Sequence, residues 1–170
     1  MPTPDEIIKA LNLQPLPVEG GLFRQTYAAD EQIAPAALPA RYRGPRPFGV
    51  AIYYLLTSDP DSFSALHKLP TDEIWHFYLG DPVELLLLPP GGRGETVVLG
   101  PDILHGQQVQ FVVRREVWMG AHLQPGGSWA LLGTTMAPGW DDADYTGGRR
   151  DELAKQYPQW AGLIGELTRG

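Results

Sequence analysis

The sequence predicts an all-β fold, a sandwich or small barrel with a short helical segment at either end, and three observations carry that expectation. There are 20 glycines and 17 prolines among 170 residues, far above the usual combined share of about 12%, so turns must be frequent and long helices few. Short apolar or alternating runs between positions 49 and 138 recur about every ten residues, the rhythm of sandwiches and small barrels. Helical patterning is confined to the two ends. With 43% hydrophobic residues, the chain is long enough for one cored domain and short for two, so a single domain over 1–170 is expected.

The elements follow in order. "TPDEIIKALNL" offers Thr3 as N-cap, Pro4 at the first helical position and Glu6 three residues after the cap, a capping box, so a helix is expected within 1–14, ending before Pro15. "EGGLFRQTYAAD" reads as a strand opened by Gly20 and Gly21, since Phe23, Gln25 and Tyr27 alternate with Arg24 and Thr26. From Glu31 to Pro47 the chain is rich in Pro and Ala without a period and reads as a long loop. The strand candidates then run "GVAIYYLLT", "SFSALHKL", "EIWHFYLG", "PVELLLLP", "ETVVLG", "QVQFVVR", "EVWMGAHL" and "SWALLGTTMAP", with "DPDS", "PPGG" and "QPGG" as turns. "RRDELAKQY" and "PQWAGLIGEL" are helical, broken at Pro158, and span 148–168, leaving 19–139 for the barrel.

Composition excludes several functions. A net charge of −7 leaves no basic surplus for a phosphate backbone, so nucleic acid is not an expected partner. The absence of cysteine removes disulfides, thiolate metal sites and thiol nucleophiles. No run approaches the ~18 apolar residues of a spanning helix, and "MPTPDEIIKA" is acidic where an export signal would be basic, so a cytoplasmic protein without membrane association is expected.

The chemistry concentrates in "SALHKLPTDEIWHFYLG". Side chains alternate faces along a strand. His67 therefore shares a face with Ala65 and Leu69, and Glu73 shares one with Trp75 and Phe77, while His76 takes the opposite face. The spacing resembles the first motif of the cupin superfamily: His67 stands at the first histidine position, Leu69 at the second, Glu73 at the glutamate and Gly80 at the closing glycine. In "REVWMGAHL" the second motif is matched in placement only, with Glu116 for the glycine and Met119 for the third histidine. Together with "EGGLFRQTY", "AIYYLLT" and "APGWDDADY", the run from Glu19 to Tyr157 resembles the small, uncharacterised RmlC-like cupins, kin by fold to the dTDP-sugar epimerases. The resemblance implies a cupin jelly-roll β-barrel, a double-stranded β-helix with short N- and C-terminal helices, paired as a homodimer.

A zinc or iron site ordinarily recruits three protein ligands. Leu69 and Met119 close two of the donor positions and His122 points away from the lumen, so neither metal nor other cofactor is expected, unless Gln110 or Glu19 supplies an oxygen. A lone histidine among apolar residues is ordinarily a packed structural one. Here the implied barrel aims His67 into a hollow beside Glu73, and a carboxylate beside an imidazole raises its basicity and fixes its tautomer, the makings of a general base. In the sugar epimerases a histidine near this position removes a proton next to a keto group and a tyrosine protonates the other face, a part open here to Tyr54 or Tyr78.

Other candidates are ligand contacts. Trp75 offers an apolar plane for a sugar or base, and Met119 faces inward. Gln110 is either solvated or a buried hydrogen-bonding group, and the resemblance favours the latter; Glu19 is either solvated or part of the pocket. Arg24 could clamp an anionic group. Asp141 or Asp144 could orient His67 or touch the ligand, and His76 and Trp118 are expected at a subunit interface or in packing. The leading expectation is a metal-independent binder or isomerase/epimerase acting on a carbohydrate-like or nucleotide-sugar ligand. The alternatives are a purely binding cupin and a metal-dependent oxygenase or isomerase.

Overall fold

The computed structural model describes residues 2–169. Helix α1 spans Pro4–Leu11, with the capping box in place: Thr3 Oγ1 accepts from the Glu6 amide and Glu6 accepts from the Thr3 amide. It stops where Asn12 turns left-handed, φ 50°. The strands are β1 (Gln14–Pro15), β2 (Leu22–Ala28), β3 (Gln32–Ile33), β4 (Arg46–Pro47), β5 (Val50–Thr57), β6 (Ser64–Lys68) and β7 (Glu73–Gly80). They continue as β8 (Val83–Leu88), β9 (Glu95–Leu99), β10 (Gln110–Val113), β11 (Trp118–Leu123), β12 (Trp129–Met136) and β13 (Thr146–Gly147). Helices α2 (Arg150–Gln156) and α3 (Ala161–Glu166) close the chain, parted at Pro158 because proline cannot continue a hydrogen-bonded helix. The expected long loop after Glu31 is shaped by the small β3–β4 ladder and one 3-10 turn.

Two antiparallel sheets carry the fold, one in the order β1-β2-β5-β12-β7-β10 and the other β13-β6-β11-β8-β9. Their inner faces bury one core, in which Tyr54, Leu56, Trp75, Phe77 and Leu132 of the first meet Leu85, Leu87, Leu99, Met119 and Ala121 of the second. This is a jelly-roll barrel. Each leucine of that set contributes on the order of 1.5–3 kcal/mol by leaving water.

Strand parity explains what covers the outside. Leu66, Leu86 and Leu88 alternate with the inward residues and face outward, where Leu153, Tyr157, Ile164 and Leu167 of the C-terminal segment bury them. Similarly Leu55, Trp129 and Leu131 lie under Ile7 and Leu13 beside α1. The remainder of the six-stranded sheet's outer face is uncovered and keeps Tyr27, Tyr78, Leu79 and Val112 exposed. Gly80 ends β7 at φ 102°, where a Cβ would run into the Trp129 carbonyl, so this position admits only glycine. No helix is long and apolar enough to cross a membrane among the described residues.

Candidate functional site

One end of the barrel is hollow. A cavity of about 770 Å³ opens between the inner faces, walled by Phe23, Ile52, Tyr54, His67, Glu73 and Thr134 of the strands. The segment from Asn12 to Glu19 covers one side of it, and Trp140, Asp142 and Tyr145 close another.

His67 lies on β6 and is 1% exposed. Its Nδ1 is 2.8 Å from the Ala65 carbonyl. A carbonyl only accepts, so Nδ1 carries a proton, and whenever the ring is neutral its Nε2 presents a lone pair. Among the described residues Nε2 has no hydrogen-bond partner, although no buried polar side-chain atom is left unsatisfied, so it reaches the open space of the cavity. The ring is held flat by Tyr145, stacked at 5.2 Å between centroids and 17° between planes. The stack exists because β13 pairs with β6, Gly147 opposite His67, which lays the preceding residues over the imidazole.

Glu73 begins β7 with 7% of its surface exposed. Burial pushes its carboxyl up to about 7; the His67 charge and hydrogen bonds from Thr134 and Trp75 pull it down, and the Glu19 carboxylate adds to the rise. Trp75 Nε1 donates to Glu73 Oε2 at 3.0 Å and meets the Tyr54 ring edge-on. Tyr54 donates its hydroxyl to the Gly20 carbonyl at 2.8 Å, and burial raises it well above the ordinary phenol range. Its ring lies so close to Gly21 that a Cβ there would approach the hydroxyl to 2.8 Å.

Glu19 is placed by an unusual turn. The Glu19 amide donates to the Pro17 carbonyl at 2.7 Å across Val18, whose φ is 69°. This is a γ-turn of the strained hand, centred on a β-branched residue that disfavours it. Beyond it, the Glu19 carbonyl accepts from the Ala65 amide, and Ser64 Oγ donates to Glu19 Oε1 at 2.9 Å, tying the carboxylate to the strand that bears His67.

A family model described as the cupin superfamily (DUF985) matches residues 5–147. The chain is a cupin of that family. Its fold is similar to that of a Shewanella oneidensis protein, at 29% identity over 99% of each chain and a TM-score of 0.86. A hypothetical protein from Leishmania major is 24% identical over 99% of this chain and 100% of its own, with a TM-score of 0.85. A dTDP sugar isomerase from Desulfovibrio desulfuricans shares the fold at 22% identity over 88% of this chain and 98% of that one, with a TM-score of 0.54. No curated protein matches the sequence.

In this cupin, His67, Glu73, Glu19 and Tyr54 are brought together on the cavity wall. Several other expected residues are not. Tyr78 is 44% exposed on the outer face of β7, stacked on His76 and edge-on to Tyr53. Gln110 is also outside, because β10 pairs with β7 in the register Phe111 to Trp75, which turns Gln110 outward to donate to His76 Nδ1 at 3.2 Å. Trp75 and Met119 do face inward, but each is 1% exposed within the packed core and neither walls the cavity. Arg24 touches the cavity's edge, yet its guanidinium lies over the Tyr53 ring, 5.4 Å from the centroid.

The segment after the last long strand divides its residues. Asp141 is exposed and caps its own short turn by accepting from the Ala143 amide. Asp144 is buried and grips Arg46 with both oxygens, 3.0 Å from Oδ2 to Nε, so it pins the segment and does not reach the ligand space. Asp142, Trp140 and Tyr145 are the ones that line the cavity. "PGWDDADY" contained all three, and its aromatic ends were the available signal. Burial pushes Tyr145 up to about 12, with the Glu19 charge adding to it. Trp118, expected at an interface or in packing, packs with the C-terminal helices on the five-stranded sheet.

The metal centre found in many cupins does not fit this donor set. Leu69 and Met119 are apolar and buried at the places of two ligands, and among the described residues no three His, Cys, Asp or Glu side chains group to hold an ion. His122 is turned to the outer side and pairs with Glu84 at 3.2 Å.

Proposed function

We propose that this cupin binds a carbohydrate-like small molecule in its barrel and moves a proton on it, without a metal. One observation supports the reading above others: a buried imidazole whose Nδ1 is committed to a backbone carbonyl and whose Nε2 faces the hollow of the barrel. In the proposed step Nε2 takes the proton from a carbon next to a carbonyl, and the bonding pair moves onto the carbonyl oxygen. Glu73, part-protonated near neutrality, donates a hydrogen bond to that oxygen. Return of a proton to the same carbon from the opposite side gives the epimer, and Tyr54, on the cavity wall where Tyr78 is not, is the candidate for delivering it.

The test is solvent deuterium entering a keto-sugar, followed by NMR. Exchange in the native protein and its loss in His67→Ala supports the reading; exchange that survives the substitution overturns it. A non-catalytic binder is the second reading, and the observation favouring it is that the Tyr54 proton is already donated to Gly20. Tight binding with no exchange would select that reading. The homodimer implied by the resemblance is proposed on the uncovered face around Tyr78, Leu79 and Val112.

A further inference from the structure

The ionisable side chains that wall the cavity are mostly acids. Glu19, Glu73 and Asp142 stand on its wall beside His67. The one arginine at its edge, Arg24, has its guanidinium over Tyr53. Arg169 lies behind Gly20, over the Phe63 ring and donating to the Asp61 carbonyl. The rest of the wall is largely apolar or aromatic, with Leu16, Phe23, Ile52, Met136, Trp140 and Tyr145 among it.

The protein supplies few donors to these acids. Glu19 receives Ser64 on Oε1 and Asp142 receives Trp140 Nε1 on Oδ1, and the second oxygen of each takes no hydrogen bond from the described residues. His67, though 99% enclosed, aims an unpartnered Nε2 into the same space. The free oxygens of Glu19 and of the exposed Asp142, with His67 Nε2, are acceptors to which a ligand bearing donors can bond in place of water. A phosphate or carboxylate placed there would leave water beside Glu19 and Asp142, with Arg24 at the edge the one cation among the lining residues. A hydroxyl satisfies the free oxygens, and an amine does so with charge assistance while lying against aromatic faces.

We propose that the ligand is an unphosphorylated molecule bearing hydroxyl or amine groups on an apolar frame, and that Glu19 and Asp142 exclude anions from the cavity. This rests on the reading of the cavity as the ligand site and narrows its substrate class to sugars that carry no nucleotide.

The experiment is saturation-transfer NMR with benzylamine, benzyl alcohol, benzoate and dTDP-glucose at low salt near neutral pH. The native protein is compared with Glu19→Gln and with Glu19→Gln/Asp142→Asn, each checked for folding by thermal melting. Amine and alcohol are expected to bind at least about tenfold more tightly than either anion, and the double substitution to narrow that gap severalfold. Benzoate or dTDP-glucose binding as tightly as benzyl alcohol overturns the proposal. So does an unchanged gap in the folded variants, or binding of no probe at millimolar concentration. Failure of keto-sugar exchange with the affinity order intact would instead sink only the proton-transfer reading.

Discussion

Among the described residues there are two stacked histidine–tyrosine pairs, and they differ in what the imidazole has left to offer. On the outer face, His76 lies against Tyr78 at 6.2 Å and 8°, with Nε2 bonded to Thr135 at 3.0 Å and Nδ1 accepting from Gln110. Inside, His67 lies against Tyr145, with one nitrogen bonded to backbone and the other facing the cavity. Stacking is common to both, so it cannot be what makes a site. The free nitrogen, the enclosing wall and the neighbouring Glu73 belong only to the inner pair.

The largest expected effect breaks the inner pair from behind. Arg46 is fully buried against Asp144, next to Tyr145, and removing one partner of such a pair strands the other charge. Arg46→Ala is expected to destabilise by roughly 3 kcal/mol in urea unfolding, and to alter the near-ultraviolet circular dichroism as the Tyr145 stack loosens. An outer-face change such as Tyr78→Ala has no comparable charge to strand.

The second tests the enclosure. Glu73 holds its proton more tightly folded, at about 7, than unfolded, at 4.5. Its contribution to stability is therefore full below about pH 4.5 and is lost as pH rises through about 7, a fall of up to about 3 kcal/mol. Glu73→Gln should flatten that slope between pH 5 and pH 7.5 in urea titrations. A native protein showing no such decline would mean the carboxyl is not enclosed.

The third sets the two imidazoles against each other directly. His67→Ala should reduce keto-sugar exchange by at least about a hundredfold, and His76→Ala should leave it unchanged. Equal losses would erase the distinction between the stacks. The smallest effect concerns the outer pair alone: Tyr78→Ala should cost about 1 kcal/mol or less in thermal or urea unfolding, the range of an aromatic pair at a half-exposed position.

How much of the site could be read in advance depended on which physical rule applied. Parity within β6 and β7 puts Glu73 and His76 on opposite faces, and the barrel that the cupin resemblance implies turns His67 and Glu73 inward, where the structure has them. Parity does not say whether an inward residue meets a cavity or a packed core, and so Trp75 and Met119 were expected at a ligand they do not line. Gln110, expected at the ligand, lies outside for a different reason, since the facing of β10 is set by its register against β7. In the segment after β12 no period exists to read. Which of Asp141, Asp142 and Asp144 reaches the cavity was decided by the grip of Arg46, 98 residues away in sequence, on Asp144.

By itself the sequence determined an all-β chain with helical ends and which side chains of β6 and β7 share a face, because alternation, capping and turn chemistry act between near neighbours. Only the tertiary structure decided where the barrel stays hollow and which side chains wall it. Those depend on packing between segments far apart in the chain: the strained turn that seats Glu19, the Arg46–Asp144 pair, and the pairing of β13 with β6.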